Sequence, residues 1–146
     1  MPSIAPLHRA LLAALLIAPS AASAANTLAV TLKVEDAVDG EVGCALYASD
    51  AGFPSDDAKA AVRQWHPAAA EVVCTFTDLP DGLYAVAASH DRNGNRRVDT
   101  NLVGMPKEAW GVTRDARPTF RAPRFSEAAI ALEGGGTTTA VIEVRR

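Results

Sequence analysis

The stretch Phe76-Thr77-Asp78-Leu79-Pro80-Asp81-Gly82-Leu83-Tyr84-Ala85-Val86-Ala87-Ala88-Ser89 settles the fold class. Its middle carries the residues of a tight β connection: Pro80 presets φ at the first central position, Asp81 suits the second, and Gly82 tolerates the position after it. The arms on either side differ in kind. Glu71 to Thr77 alternates, with Val72, Cys74 and Phe76 on one face. Gly82 to Ser89 is apolar on both faces, Tyr84, Val86 and Ala88 against Leu83, Ala85 and Ala87, which predicts a central strand covered on both sides.

The same alternation recurs to either side. Leu28, Val30, Leu32 and Val34 predict a half-buried strand that ends before the turn residues Asp36 to Gly40. Glu41 to Ala48 comes next with Val42, Cys44 and Leu46 on one face, and Ala128 to Glu133 and Thr137 to Val144 complete the set, the last burying Ala140, Ile142 and Val144. A single helix interrupts the strands. Ser55 can cap it, Asp56 and Asp57 suit the positive end of its dipole, and Ala58, Ala61, Val62 and Trp65 recur at helical spacing. On that reading Trp65 is a core-facing aromatic of a connecting helix, which is favoured over the alternative of a binding role.

Cys44 and Cys74 both point to the core. In an oxidising compartment they are expected to form a disulfide. Two buried free thiols are the rival reading, because inward cysteines need not bring their Cα atoms within bridging range.

The N-terminal residues bear on the compartment. His8 and Arg9 form a short basic region, Ala10 to Ala18 is unbroken and apolar, and Ala22-Ser23-Ala24 has the small-x-small pattern of a signal peptidase site, so residues 1–24 read as a secretory signal peptide. The apolar run is too short to span a bilayer, which takes about 20 residues, and Pro19 ends any helix it forms. No transmembrane segment comes after it, and the protein is expected to be periplasmic or secreted. Residues 25–146, about 120 residues, suffice for one domain. Without Arg9 the 14 basic residues become 13 against 17 acidic, which argues against a nucleic-acid partner.

Phe76, the Leu79-Pro80-Asp81-Gly82 turn and Tyr84 resemble the phenylalanine, leucine-proline-x-glycine-x-tyrosine pattern of transthyretin-like and collagen-adhesin B-type sandwich domains. Read together, Gly43-Cys44-Ala45-Leu46-Tyr47, Gly52-Phe53-Pro54, Leu79 to Tyr84, His90-Asp91 through Asp99-Thr100-Asn101, and Gly104-Met105-Pro106-Lys107-Glu108 resemble, in order, the secreted bacterial domain-of-unknown-function family 2141. That likeness covers essentially the whole chain after the signal. It implies a fold and no activity. Where the family usually has glycine after the second asparagine, this chain has Arg96. The expected fold is all-β: an immunoglobulin-like or transthyretin-like antiparallel β-sandwich with one short connecting helix and one long loop.

The stretch from His90 to Asn101 places oxygen-bearing side chains at alternate positions. Asp91, Asn93, Asn95, the Arg97 carbonyl and Asp99 match positions one, three, five, seven and nine of a calcium loop, with Val98 as an apolar anchor at position eight. The mismatches are concrete too: Leu102 stands where the bidentate glutamate belongs, Arg96 where glycine belongs, and Arg92, Arg96 and Arg97 surround only two carboxylates. Weak calcium binding is one reading. The other is a set of Asx-turns that need no ion.

His90 shares a strand face with Tyr84, Val86 and Ala88 and reads as a histidine satisfied at a strand end, while His66 beside Pro67 reads as loop surface. Thr100 to Ser126 is long and lacks a strand period. It carries Trp110 with Lys107, Arg114, Arg117, Arg121 and Arg124, and Trp110, Arg114 and Arg117 are the candidate contacts for an anionic or carbohydrate ligand. The bland alternative is a loop covering a sheet edge with its arginines solvated. The sequence thus predicts an exported, non-catalytic binding or structural module for an extracellular or envelope ligand. The alternative is an extracellular enzyme acting on a small molecule or glycan, with His90, Asp91 and the arginine loop converging on one pocket.

Overall fold

A computed structural model describes residues 24–37, 39–97, 99–102 and 106–146. The expected signal peptide, Ala24 apart, and Val98 lie outside the described residues. Eight strands form two layers: β1 (Asn26–Val34), β2 (Glu41–Tyr47), β3 (Val62–Pro67), β4 (Glu71–Leu79), β5 (Gly82–Asp91), β6 (Trp110–Val112), β7 (Ile130–Leu132) and β8 (Gly136–Val144), with a single turn of helix, α1 (Phe125–Ala128), before β7. One sheet has the order β4-β1-β8 and the other β3-β2-β5-β6, with β7 pairing the start of β5. The expected sandwich is thus present, with one departure: β1 and β8 run parallel, from Asn26 against Gly136 to Val34 against Val144.

The core arises from strand alternation. Leu28, Val30 and Leu32 of β1 are fully buried between Phe76 of β4, Ile142 and Val144 of β8, and Val42, Leu46 and Val86 of the facing sheet. Each such side chain removed from water contributes about 1.5 to 3 kcal/mol. Cys44 and Cys74 are bonded across the sandwich, tying β2 of one sheet to β4 of the other with Cα atoms 6.7 Å apart. No free cysteine remains.

The turn from Leu79 to Gly82 is anchored on three sides. Tyr84 Oη donates to the Pro80 carbonyl at 3.1 Å. The Asn26 side-chain amide donates to the Leu79 carbonyl and to Asp81 at 3.1 and 2.9 Å, and Asp81 also accepts the Gly134 N–H at 3.0 Å. The start of β1 and the β7–β8 turn are therefore fixed to the same corner.

The expected helix over residues 55–65 is not formed. A short 3-10 turn occupies Asp57–Lys59, its preceding residue Asp56 makes no side-chain cap, and Ala60 turns to extended backbone at φ −65, ψ 142. Ala61 then donates to the Leu46 carbonyl at 2.8 Å and β3 pairs along β2. Pairing with β2 gives the inward-facing backbone groups of this edge strand their partners and places Trp65 on Gly43, and it overrides a helical spacing that four residues satisfied by coincidence. The expected strand over 128–133 shrinks to β7 because α1 takes Ala128. The long connection is also shorter than expected, since β6 and a 3-10 turn at Thr113–Asp115 fall within it.

The disulfide closes a loop of sequence separation 30. Replacing both cysteines with alanine is expected to lower unfolding stability by about 3 to 4 kcal/mol in the chain-entropy model. Urea denaturation measures this, and a loss under about 1 kcal/mol would show that the cross-link adds little to the packed core.

Candidate functional site

Directly opposed residues of an antiparallel pair share a face. On the face of the second sheet turned away from the core, the registers line up Trp65, Gly43, Ser89 and Trp110 as one row across β3, β2, β5 and β6. Arg63, Ala45, Ala87 and Val112 form the adjacent row. The backbones of the two tryptophans are thus three strands apart, about 14 Å at ordinary strand spacing, with only small residues in the row between them. The result is a groove of about 350 Å³, within the usual range for small-molecule sites. Tyr47, Pro54, Ser55 and Asp57 line it towards one end, and Arg96, Arg97 and Pro106 also contribute. Further along the same face, Tyr47, Phe53 and Phe125 stack edge to face with centroids 5.3 and 6.0 Å apart, close to Ala85, Val112 and Ala128. The face is therefore covered in part, and the groove is the part left open.

Both indoles are held in place. Trp65 lies on Gly43 so closely that a Cβ at residue 43 would come within 2.7 Å of the ring, which only glycine avoids. The Arg96 guanidinium sits over the same indole, 5.6 Å from its centroid, and donates twice to Glu41 at 2.8 and 2.9 Å. The Arg96 hydrogen bond holds the Glu41 carboxyl below the usual glutamate range. Arg117 stacks on Trp110 at 4.3 Å and donates to the carbonyls of Trp110, Glu143 and Arg145. Burial, then the nearby Arg145 charge, lowers the Arg117 pKa. Tyr47 is buried with its hydroxyl unpartnered among the described residues, and burial, with the Asp57 and Asp56 charges adding, pushes it up to about 12. It stays a neutral hydrogen-bond donor throughout the physiological range.

The loop after β5 bonds to itself. Buried Asp91 accepts the N–H groups of Gly94 and Arg96 at 2.8 and 2.5 Å. Asn93 and Asn95 accept the N–H groups of Asn95 and Arg97 at 3.0 and 2.8 Å, and both side-chain amides donate to Asp99, at 2.7 and 3.0 Å. The bonds from Asn95 N–H to Asn93 and from Arg97 N–H to Asn95 are Asx-turns, and the others tie the loop's ends together. Sequence reading overlooked Glu108, which is buried beside this loop and accepts the Asp99 N–H at 3.4 Å. Burial above all, with the Asp91 and Asp99 charges adding, raises its pKa against the backbone hydrogen bonds that oppose the shift. Among the described residues, the histidine, cysteine and acidic side chains close enough to hold a metal are Cys44, His66 and Cys74, within 4.8 Å, and both sulfurs are committed to the disulfide.

Of the three ligand contacts expected from sequence, only Trp110 lines the groove. Arg117 supports Trp110 from outside the groove, and Arg114 reaches the Ala129 carbonyl at 3.5 Å. Trp65, Arg63, Arg96 and Arg97 join Trp110 instead. His90 is buried with Nε2 2.7 Å from the Asp39 carbonyl, on the opposite face of β5 from Ser89. Neither His90 nor Asp91 lines the groove, so the groups named for catalysis do not converge there.

The fold and site define a small disulfide-bonded β-sandwich with one groove on the outer face of its larger sheet. The chain belongs to the DUF2141 family, described as an uncharacterized protein conserved in bacteria, whose model matches residues 30–140. No curated protein and no solved structure matches it. Among the described residues, no helix is long and apolar enough to cross a membrane.

Glu108 yields a pH signature. A carboxyl whose pKa is raised by folding contributes stability that is complete below the ordinary glutamate range and is lost as pH rises through the raised value. Glu108→Gln keeps a carbonyl for the Asp99 N–H and removes the charge. The variant is expected to melt higher than the wild type at pH 7 to 8, with the difference closing towards pH 4. A constant difference across that range would mean that the buried charge carries no penalty.

Proposed function

We propose that this chain is an exported, non-catalytic binding module whose ligand seat is the groove between Trp65 and Trp110. The observation that carries this reading is the row Trp65, Gly43, Ser89, Trp110 across four strands. Trp65, laid over Gly43, and Trp110 bound a trough with the small residues Ala45, Ala87 and Ser89 between them, and Arg96 and Arg117 stack on the two indoles. Export is supported by the apolar N-terminal run and by the disulfide, which belongs to oxidising compartments. A binding role is supported over catalysis because the groove gathers donors and aromatic faces, while His90 and Asp91 are engaged elsewhere.

The test is a fragment screen by protein-observed NMR, using monosaccharides, disaccharides, aromatic acids and heterocycles. Ligands are expected to move the amide signals of Gly43, Ala45, Ala87 and Ser89 and the two indole N–H signals. Ser89→Phe, which fills the trough, should abolish those shifts while the domain stays folded. Fragments that bind elsewhere, or none that bind at all, would refute the seat.

A second reading concerns calcium held weakly by Asp91, Asn93, Asn95, the Arg97 carbonyl and Asp99. Glu108 adds a third carboxylate whose charge is felt with those of Asp91 and Asp99, although the three do not draw together within 4.8 Å as Cys44, His66 and Cys74 do. Each carboxylate oxygen that accepts one N–H keeps a lone pair for a cation. Chelator-stripped protein should then gain about 2.7 kcal/mol of stability in calcium at about 100 times the dissociation constant. Asp91→Ala should remove the gain. Identical melting with and without millimolar calcium would leave the loop as ion-free Asx-turns.

A further inference from the structure

We propose that the groove selects an acidic sugar, a uronate carried by a short glycan, with Arg97 receiving its carboxylate. This deepens the groove reading and rests on it. Selectivity depends on which polar groups remain for a ligand. Of the carboxylates nearby, Asp57 is paired with Arg63 at 3.3 Å and Glu41 with Arg96 at 2.8 Å. Arg97 is exposed on the groove, and among the described residues no carboxylate pairs with its guanidinium. With those two pairs neutralised internally, the groove carries one uncompensated positive charge.

The remaining polar side chains are hydroxyls. Ser89 lies in the row between the indoles, and Tyr47 lines the groove with a buried hydroxyl that has no partner among the described residues. A ligand for such a surface carries one anionic group, offers further oxygens as acceptors, and presents a flat apolar face to indole. The ring of a sugar acid has all three features: a carboxylate, hydroxyl oxygens, and C–H groups along one face. An aromatic acid has the first and the last, but leaves Ser89 and Tyr47 without acceptors. A neutral sugar leaves Arg97 without its counter-charge.

The experiment titrates the wild-type mature domain with digalacturonate, digalactose and indole-3-acetate, monitored by calorimetry and by the indole N–H signals. Digalacturonate is expected to bind about tenfold more tightly than digalactose, the factor of one charge-assisted pair. Arg97→Gln should erase that difference and leave digalactose unchanged, and added salt should weaken only the uronate. Arg97 is exposed and, among the described residues, its side chain has no hydrogen-bond or ion-pair partner, so the variant reports on binding. Equal affinity for the two sugars, or an equal loss of both in Arg97→Gln, would overturn charge selection while leaving the groove as a binding site. Tighter binding of indole-3-acetate would replace the sugar with an aromatic acid. If no sugar perturbs the groove, the acidic-sugar assignment falls, and the fragment screen separately decides whether the groove binds anything.

Discussion

Side chains leave a β-strand alternately to its two faces, so a strand that is apolar on both must be covered twice. In this domain that strand is β5. Its Tyr84, Val86 and Ala88 are covered by the first sheet, which the sandwich supplies. Among the described residues no third sheet covers its other face. Phe53 and α1, with its Phe125, cover Ala85 and part of Ala87, and beyond them no described element lies over the face. The groove begins where that cover ends, and the small residues Gly43, Ala45, Ala87 and Ser89 make up its floor.

The groove and the loop after β5 are one mechanical unit. Arg96 takes a left-handed backbone, φ 55, which an L side chain adopts at a cost and glycine adopts freely. The same residue lays its guanidinium over Trp65, donates to Glu41 of β2, and gives its N–H to Asp91 at the end of β5. Glycine at this position would relieve the backbone and lose the stacked arginine. Gly40 completes the coupling from the other side: any Cβ there would run into the Asp91 carbonyl, so the β1–β2 turn can press against the loop only because residue 40 has none. His90 then reaches the Asp39 carbonyl and closes that contact.

Local pattern made most of the fold legible. β1, β2, β4 and β8 each carry an alternation that one sheet face enforces, β5 stands out as apolar on both faces, and the turn from Leu79 to Gly82 has residues that suit few other conformations. Cys44 and Cys74 could be placed on the core face but not in contact, because their 6.7 Å Cα separation is set by how the two sheets stack. β3 was illegible for a related reason. Ala58, Ala61, Val62 and Trp65 fit a helical stripe, and what places Trp65 on a strand is Gly43, twenty-two positions away in sequence, whose missing side chain gives the indole its bed. β6 has three residues, too few for any period to show. Trp110 could be picked out because a large aromatic in a polar connection is conspicuous. Arg63, Arg96 and Arg97 could not, since nothing local distinguishes an arginine at the rim of a groove from one in water.

The two arginine–tryptophan stacks bear on why such an open surface can be specific. An exposed indole on an edge strand is free to rotate, and ordering it on binding costs side-chain entropy. Here that cost is met during folding. Arg117 is itself fixed by the carbonyls of Trp110 in β6, Glu143 in β8 and Arg145 just beyond it, and Arg96 by Glu41 and by its own loop. Burial lowers the Arg117 pKa, so its charge is carried at some expense, and that expense is tolerated where the guanidinium ties β6 to β8 and braces an indole at once. The aromatic walls are therefore preorganised by cations that lie outside the trough or at its margin, leaving the floor uncharged. A ligand meets rigid walls and a neutral floor, and the charge left unmatched within the described groove belongs to Arg97 at its rim.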